Sequence, residues 1–516
     1  MKQIRYIFIA CMVSMLFSCS SDYLDTTPTA SVSPSVIFET TDNAKLAING
    51  ICKMMTTQYL ESQGFNGEGT IKTYYGNYPG NDYQRCQLTG WAPLMNSTYH
   101  ERSTSIYCYY PWYYYYKIIG NANTVIANID AAEGSDADKA FIKAQALTFR
   151  AYSFLMLSQI YSHRWKDSNE GASRGIVLRT DVSTDSMSCS TLGETYAQIY
   201  ADLDEAIADF TASGEDRDAD DNYSPNLSVA YAVYARAALT REDWSNAAKY
   251  AQMAREGYPL MSASEYKDGG FNTPNDEWIW SVYSSSEETL YYYQYFAFEG
   301  SNSSASIARN YPAAISKELY DVIPETDIRK DMFLDPKDYA YNTSTSVGGT
   351  DLNTYAKSKY GDKLYSTSVV CAYMQFKTQN TDQPGVGQLN LFRSSEMYLI
   401  QAEADCHLGK DAEAQQLLQT LTRDSGRDEA YTCTKTGEEL LEEVRLYRRI
   451  ELWGEGFDWF DYKRWGITMV RHSAEDGGSF NINFVISQAP EDNNYWTWVI
   501  PNKEIDYNAA ISSTVE

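Results

Sequence analysis

The residues of this sequence that could carry chemistry are aromatic rings set among small polar residues. Residues 73–99 include Tyr74, Tyr75, Tyr78, Tyr83 and Trp91, interleaved with glycine, asparagine and aspartate. Flat tyrosine and tryptophan faces stack on the C–H patches of sugar rings, while nearby amides and carboxylates bind the hydroxyls. Because this segment is polar and rich in glycine, we expect a loop with at least one exposed, ligand-binding ring. Packing of the same rings inside the protein is the alternative.

A second set of candidate binding rings lies in the middle of the chain. It comprises Tyr291, Tyr292, Tyr293 and Tyr295. Consecutive side chains point to opposite faces of a strand, and they spread around the axis of a helix. The four rings therefore cannot all face one core, and we expect some of them to be exposed and to bind ligand.

Other aromatic residues are better explained by packing than by ligand binding. Residues 107–116 open a predicted helix, so we interpret this run as structural, with Tyr109 and Tyr110 as the exceptions. Trp278 and Trp280 alternate with their neighbours, as in a strand with one face on a core. These clusters are therefore predicted to stabilise the fold.

A C-terminal segment combines rings with charges of both signs. The rings are Trp453, Phe457, Trp459, Phe460 and Trp465, and the charges are Arg445, Arg448, Arg449, Glu451, Glu455, Asp458, Asp461 and Arg464. Opposite charges at such short spacing indicate structural ion pairs rather than an acid and a base that act on a substrate. We expect this segment to lock the C-terminal helix to the body of the protein.

The sequence does not indicate an enzyme. Its four histidines form no HExxH or other metal-ligand spacing, and Walker and GxGxxG motifs are absent. An acidic loop at residues 216–222 lacks the glycine and the glutamate that an EF-hand requires. A pair of carboxylates for glycoside hydrolysis stays open, because their separation is not visible in a sequence. We predict a non-catalytic protein without a metal or cofactor.

Composition narrows the class of partner. The net charge is −27, whereas nucleic-acid-binding proteins present a basic surface to phosphates, so nucleic acid is excluded as a partner. The chain contains 44 tyrosines and 11 tryptophans, an excess that favours a surface for binding sugars. The acidity also weakly disfavours polyanionic ligands, although a local patch of charge can override the net charge.

The N-terminus predicts export and attachment to lipid. Lys2 and Arg5 precede an apolar run, residues 6–17, which is too short to span a bilayer and is typical of a secretory signal. Leu-Phe-Ser-Cys at residues 16–19 resembles the lipobox of bacterial lipoproteins, in which Cys19 would carry fatty acyl chains such as palmitate. An ordinary cleaved signal, with Cys19 as an incidental thiol, is the alternative. We predict a signal peptide over residues 1–18 and a lipidated, flexible tether over residues 19–36.

The remaining sequence, residues 37–516, predicts a single, mainly α-helical domain. Apolar residues recur at helical spacing in nine segments: about 41–60, 112–129, 139–162, 194–211, 227–240, 244–256, 394–408, 412–422 and 437–452. An irregular insertion, residues 259–389, contains candidate strands at 277–283 and 369–376. The helices must therefore position the rings that the insertion and the loops carry.

Two helix pairs repeat a common pattern. Tyr231, Ala235, Ala237 and Ala247 recur, at one constant offset, as Tyr398, Ala402, Ala404 and Ala414. Small residues at these spacings let two antiparallel helices approach closely, as in tetratricopeptide repeats. We expect tetratricopeptide-like helical hairpins within the fold.

Seven stretches, in order along nearly the whole chain, resemble the SusD/RagB-like outer-membrane lipoproteins of Bacteroidetes. They are residues 19–28 (CSSDYLDTTP), 116–123 (YKIIGNAN), 144–161 (AQALTFRAYSFLMLSQIY), 235–254, 393–404 (RSSEMYLIQAEA), 448–466 (RRIELWGEGFDWFDYKRWG) and 498–505 (WVIPNKEI). The run at 448–466 is the most specific of them. One departure is that the family commonly ends with Asn-Pro, whereas here Asn508 is followed by Ala509.

The resemblance implies both a fold and a role. The fold would be a mainly α domain of tetratricopeptide-like hairpins with a loop-rich, minor-β region. The role would be the capture of an oligomeric nutrient, usually a glycan, on the outer face of the outer membrane. The partner would be a SusC-like TonB-dependent barrel, over which the lipoprotein sits as a lid. Capture of oligopeptides, or a lid that binds no ligand itself, are the alternatives.

Overall fold

The described part of the chain is built mainly from α-helices, so the predicted fold class is confirmed. The structure, a computed structural model, describes residues 34–62, 64–87, 89–283 and 293–511. The α-helices are α1 (Pro34–Ile37), α2 (Thr41–Met54), α3 (Gly67–Thr70), α4 (Ala92–Met95), α5 (Ile106–Asn128), α6 (Asp136–Tyr161), α7 (Leu192–Ser213), α8 (Leu227–Thr240), α9 (Trp244–Ala254), α10 (Ala263–Lys267), α11 (Tyr295–Glu299), α12 (Ser306–Asn310), α13 (Lys317–Val322), α14 (Thr350–Tyr360), α15 (Ser394–His407), α16 (Asp411–Gln419), α17 (Gly437–Glu451), α18 (Asp458–Trp465) and α19 (Asn502–Tyr507). Across the described residues, no helix is long and apolar enough to cross a membrane.

The long helices pack in sequence order and form the body of the protein. Helix α5 packs on α6, α6 on α7, and α7 on α8. Arg150 on α6 ties three of them together, because its guanidinium donates to Asp202 on α7 at 2.6 and 2.8 Å and to Asn123 on α5 at 2.9 Å. This buried side chain therefore sets the spacing of the helices around it.

Helix α5 begins six residues earlier than the predicted helix, at Ile106 rather than near Trp112. Ser105 caps it by accepting a hydrogen bond from the backbone N–H of Tyr107 at 3.2 Å. Pro111 lies inside the helix and has no N–H to donate to the carbonyl one turn earlier. That carbonyl, on Tyr107, accepts instead from the hydroxyl of Tyr75 at 2.6 Å. A tertiary contact thus replaces the missing helical hydrogen bond.

The two predicted tetratricopeptide-like hairpins are present as α8–α9 and α15–α16. Helices α8 and α9 pack against each other, as do α15 and α16, and α9 joins the two hairpins by packing on α15. Arg236 on α8 also donates to both carboxylate oxygens of Glu396 on α15, at 2.7 and 2.8 Å. The small residues of the repeat are completely buried at these contacts, so the repeated pattern predicted the packing correctly.

Helix α7 begins at a capping box that the structure lets us test. The Thr191 hydroxyl accepts from the backbone N–H of Glu194 at 3.1 Å, and the Glu194 carboxylate accepts from the backbone N–H of Thr191 at 2.8 Å. We expect Thr191→Ala to lower the free energy of unfolding by about 1 kcal/mol. Urea unfolding measures this, and Thr211→Ala, an exposed threonine on the same helix, is the matched control. An equal effect of both changes would show that the cap contributes nothing specific.

Strands are few and short. They are β1 (Tyr83–Arg85), β2 (Trp278–Val282), β3 (Ala313–Ile315), β4 (Leu389–Arg393), β5 (Met469–Arg471) and β6 (Ile486–Gln488). They form three antiparallel pairs, β1 with β3, β2 with β4 and β5 with β6. The strand predicted at 277–283 is present as β2, with Trp278 and Trp280 buried as predicted. The strand predicted at 369–376 is wrong, because this segment makes only isolated bridges, including Cys371 with Val347.

A cluster of buried charges joins the insertion to the helical body. We call Glu277, Arg329, Arg393, Arg427 and Glu451 the buried charge cluster; each is at most 1% exposed. Glu451, the last residue of α17, accepts from Arg393 at 2.7 Å, Arg329 at 2.9 Å and Arg427 at 3.0 Å. Glu277 accepts from Arg393 at 2.7 Å. The ion pairs predicted for the C-terminal segment are therefore structural. They are buried in the protein interior, which the spacing of the charges in the sequence did not indicate.

Candidate functional site

The segment predicted to be an aromatic loop is instead packed against the C-terminal segment. It forms α3, then a π-helix over Ile71–Asn77, and then β1. A Cβ atom on Gly76 would lie 2.1 Å from the carbonyl oxygen of Gly456, and one on Gly80 would lie 2.3 Å from the Asp458 carboxylate. These glycines therefore serve close approach of two chain segments rather than flexibility.

The predicted exposure of the tyrosines in this segment is wrong. Tyr74, Tyr75, Tyr78 and Tyr83 are between 0 and 2% exposed. The Tyr83 hydroxyl donates to the Glu299 carboxylate at 2.6 Å, and burial raises the pKa of Tyr83 well above its ordinary value. These four rings belong to the core, because the close packing of the segment leaves them no face toward solvent.

The second predicted set of rings is divided. Tyr295 is buried, and its hydroxyl donates to the carbonyl of Gly454 at 2.7 Å, so its predicted exposure is wrong as well. Tyr293 is half-buried. Tyr291 and Tyr292 lie outside the described residues. Of the two sets, Trp91 and Tyr293 thus keep partly open rings in the described structure.

Trp91 and Tyr293 contact the same buried ring, that of Phe298. The two residues are about 200 positions apart in the sequence. The Trp91 ring meets the edge of Phe298 with centroids 5.5 Å apart, and Tyr293 lies 6.4 Å from the same Phe298 ring. Tyr74 lies beneath, 6.0 Å from Phe298 and 6.2 Å from Trp91. The buried rings thereby hold two half-open rings close together.

Two further half-buried rings extend this series. Tyr107 lies 5.9 Å from Tyr74, and Tyr99 stacks on Tyr107 at 5.1 Å with an interplanar angle of 16°. The Arg102 guanidinium lies 5.2 Å from the Tyr99 ring centroid. We call Trp91, Tyr99, Tyr107 and Tyr293 the aromatic surface. It combines partly open ring faces with an exposed hydrogen-bond donor, the two features that sugar binding needs.

The sequence prediction missed Tyr99 and Tyr107. It had assigned Tyr107 to a structural run and named Tyr109 and Tyr110 as the exposed exceptions. Tyr110 is completely buried, whereas Tyr109 is half-buried. The position of Tyr107 could have indicated its exposure. It lies in the first turn of a helix capped by Ser105, and the side chains of a first turn often extend past the region where the helix packs.

An ion pair beneath the aromatic surface holds its backbone in place. Arg85 donates to the Glu299 carboxylate at 2.9 Å and, from its other terminal nitrogen, to the carbonyls of Phe298 and Tyr311, both at 2.9 Å. Arg85 is 1% exposed. A surface whose supporting ring is fixed in this way binds a rigid ligand with little loss of entropy.

Two features resemble catalytic groups. Residues 171–175 have the G-x-S-x-G spacing of a nucleophile elbow, which the sequence interpretation overlooked. Ser173 lies in a turn rather than between a strand and a helix, and its hydroxyl is shielded and unpaired among the described residues. Burial raises the pKa of Glu68 to about 6, but its carboxylate accepts from the hydroxyls of Tyr114, Tyr115 and Tyr152. Ser173 therefore lacks the setting of a nucleophile elbow, and Glu68 has a structural explanation.

Comparisons with known proteins identify the family. Residues 241–514 match the model of the SusD family, and residues 22–239 match a family described as starch-binding, associating with outer membrane. None of the curated proteins compared with the chain matches it. A SusD-like carbohydrate binding protein from Bacteroides vulgatus ATCC 8482 is 24% identical, with a TM-score of 0.74 over 92% of this chain and 98% of its own.

Two further crystal structures share the fold. A SusD superfamily protein from Bacteroides thetaiotaomicron VPI-5482 is 23% identical, with a TM-score of 0.72 over 92% of this chain and 99% of its own. A SusD superfamily protein from Bacteroides fragilis is 18% identical, with a TM-score of 0.68 over 92% and 100%. At these identities the likeness concerns the fold alone. Since the SusD family model matches more than half of its length, the chain belongs to the SusD family.

Proposed function

We propose that this protein is a non-catalytic carbohydrate-binding protein of the outer membrane, and that the aromatic surface is its binding site. The observation that carries the proposal is the convergence of Trp91 and Tyr293 on Phe298. Half-open rings supported by a rigid buried layer suit the flat C–H faces of successive sugar units. The description starch-binding, associating with outer membrane, for the family matched by residues 22–239, supports both the ligand class and the location.

We propose further that the protein captures oligosaccharides outside the cell and passes them to a SusC-like TonB-dependent transporter. The lipobox-like sequence that ends at Cys19 would attach it to the outer membrane through lipid, because several acyl chains bury enough methylenes for a stable anchor. The family membership supports the transporter as the partner. Capture close to the transporter would raise the local concentration of a scarce nutrient.

Two other functions remain as candidates within the same family. Capture of oligopeptides would depend on hydrogen bonds to an extended backbone more than on a series of rings. A structural lid would leave recognition to the transporter. The partly open rings favour a glycan over both, since neither alternative requires four aromatic side chains at one surface.

The proposal is tested by removing the two outer rings from the soluble chain that begins at residue 26. We expect Trp91→Ala together with Tyr293→Ala to weaken glycan binding by about 1–3 kcal/mol, roughly 5- to 150-fold in Kd. A glycan array that includes maltooligosaccharides identifies the ligand, and isothermal titration then gives the affinities. Buried Tyr74 is left unchanged, because its loss would disturb the core.

Tyr507→Ala is the matched control, because Tyr507 is 87% exposed and does not belong to the aromatic surface. It should leave both the affinity and the melting temperature unchanged. Equal affinities of the double variant and the wild type would disprove the assignment of the site. Binding of peptide pools but not of glycans would instead support peptide capture, and release of reducing sugar would show an enzyme.

A further inference from the structure

A small pocket lies between the start of α3, the start of α11 and the ends of β2 and β4. It holds roughly 300 Å³, its open mouth included. Met55, Val282, Phe296 and Leu389 contribute apolar walls to it. Of the described residues that line the pocket, none carries a charge. The pocket therefore suits a neutral group, because burial of an unpaired charge is costly. We call it the neutral pocket.

The side-chain amide of Asn66 lines the neutral pocket without a partner. Asn66 is 4% exposed, and neither its Nδ2 nor its Oδ1 has a hydrogen-bond partner among the residues that the structure describes. It immediately precedes α3, but its side chain does not cap that helix. Its backbone N–H does have a partner, the Thr70 hydroxyl at 2.6 Å. Shielded amides in proteins are normally paired, so the side chain indicates a missing ligand that offers both an acceptor and a donor.

Thr56 adds a second acceptor to the neutral pocket. Its hydroxyl donates to the carbonyl of Lys53 at 3.1 Å, so the lone pairs of its oxygen remain available to an N–H group of a ligand. Thr56 is 7% exposed. The neutral pocket thus combines one amide donor and two oxygen acceptors with apolar walls.

The neutral pocket adjoins the aromatic surface at two points. Phe65, one residue before the unpaired amide, lies 5.5 Å from the ring of Tyr107. Gln294 lines the pocket and directly follows Tyr293. Helix α11 then leads from Gln294 to Phe298, the ring that supports the aromatic surface. Four residues of a helix rise by about 6 Å, so a sugar on the aromatic surface lies beside the pocket.

From this arrangement we infer that the neutral pocket binds the N-acetyl group of an amino sugar, an inference that rests on the proposed glycan-binding function. Asn66 donates from Nδ2 to the acetamido carbonyl, and its Oδ1 accepts from a hydroxyl of the same sugar. Thr56 accepts the acetamido N–H. The acetyl methyl group packs against the apolar walls, where its burial is favourable.

Two related sugars fit the neutral pocket less well. A sugar with a hydroxyl in place of the acetamido group would leave the apolar walls uncovered and one of the polar groups unpaired. A sugar with a free amine would bury an ammonium group without a counter-charge. The pocket therefore narrows the ligand class from glycans in general to N-acetylated glycans.

The test compares methyl glycosides that differ only in this group. They are the methyl glycosides of N-acetylglucosamine and N-acetylgalactosamine, and those of glucose and galactose. Isothermal titration of the soluble chain that begins at residue 26 should show at least about tenfold tighter binding of one N-acetylated glycoside than of its hydroxyl counterpart. This is the effect of one further hydrogen bond together with one buried methyl group. In saturation-transfer NMR, the acetyl methyl protons should receive the strongest saturation.

Asn66→Leu should abolish this preference without loss of the fold. Leucine has a similar size and replaces an unpaired amide by an apolar group, so the melting temperature should stay the same or rise. Thr56→Val, the second variant, removes the acceptor for the acetamido N–H and should reduce the preference as well. Asn121→Leu is the matched control, because Asn121 lies on α5 and outside the pocket. It should retain the full preference.

Equal affinity of the wild type for the N-acetylated and hydroxyl glycosides would overturn the inference, since the neutral pocket would then hold only water. So would a preference that survives both Asn66→Leu and Thr56→Val. The Trp91 and Tyr293 double variant separates this result from the proposed function. It should weaken binding of both members of each pair and keep the preference. Glycan binding that needs those two rings but shows no preference would reject the pocket alone, whereas a preference with unchanged affinity in the double variant would reject the aromatic surface alone.

Discussion

Glu451→Ala is expected to lower the free energy of unfolding by about 3–5 kcal/mol or more, the cost of leaving buried charge unpaired. Glu451 is completely buried and accepts from three guanidinium groups, those of Arg329, Arg393 and Arg427. Without Glu451, the three guanidinium groups would lose a shared carboxylate partner. They would remain buried with Asp327, in a region that water does not reach. Urea unfolding of the soluble chain at pH 7 measures the change.

Two comparisons separate the electrostatic cause from loss of packing. Glu451→Gln keeps the volume and removes only the charge, so we expect it to retain most of the defect. Asp321→Ala removes the carboxylate of an exposed ion pair with Lys317, and such pairs contribute about 0–1 kcal/mol. A loss of less than 1 kcal/mol for Glu451→Ala would show that the cluster does not hold the insertion on the helical body.

Acidification is expected to remove about 3 kcal/mol of stability for each of two buried glutamates, Glu403 and Glu455. Burial by itself would raise the pKa of each, but neighbouring cations outweigh it and hold both pKa values at about 2, below their ordinary 4.5. For Glu455 the cations are Arg393 and Lys377, both at 2.7 Å. For Glu403 the paired cation is Arg464, and Arg448 and Arg445 lower its pKa further.

The direction of this effect follows from which state binds protons first. As the pH falls below 4.5, the unfolded chain protonates its glutamates while the folded protein keeps them ionised. The contribution is therefore complete above pH 4.5 and is lost as the pH falls through about 2. Urea unfolding at pH 7, 5, 4 and 3 measures the loss in the wild type.

Glu455→Gln isolates one of these contributions. Its deficit relative to wild type should be near 3 kcal/mol at pH 7 and should shrink steadily below pH 4.5. Glu68 provides a control of opposite sign, because burial raises its pKa to about 6. The contribution of Glu68 to the free energy of unfolding is present below pH 4.5 and is lost as the pH rises through 6. The stability of Glu68→Gln should therefore depend on pH differently from that of the wild type only between pH 4.5 and 6. A deficit of Glu455→Gln that does not change with pH would contradict the assignment.

Much of the helical architecture could be predicted because its causes are local. Helix α8 begins and ends at the predicted residues, Leu227 and Thr240, since apolar spacing and an asparagine cap both lie within one segment. The hairpin repeat was equally visible, because close helix packing selects small residues at regular positions. Trp278 and Trp280 were placed in a buried strand correctly for the same reason.

The aromatic segment could not be predicted from the same local pattern. Glycine, asparagine and tyrosine between residues 73 and 99 are typical of an exposed loop. Here Asn77 donates to the carbonyl of Gly454, 377 residues later, and Gly76 gives room to Gly456. The residue types are typical of a loop. The segment is nevertheless part of the core, because residues distant in the sequence pack against it and satisfy its hydrogen bonds.

By itself the sequence determined the fold class, the order of the helices, the repeated hairpins and the family, because each depends on residues near one another in the chain. Only the tertiary structure decided which rings stay open. Trp91, Tyr99, Tyr107 and Tyr293 are partly exposed, and Tyr74, Tyr83 and Tyr295 are buried, and residue type alone does not distinguish the two groups. The exposure of a ring depends on which distant atoms cover it, and the residues beside it in the chain do not encode that.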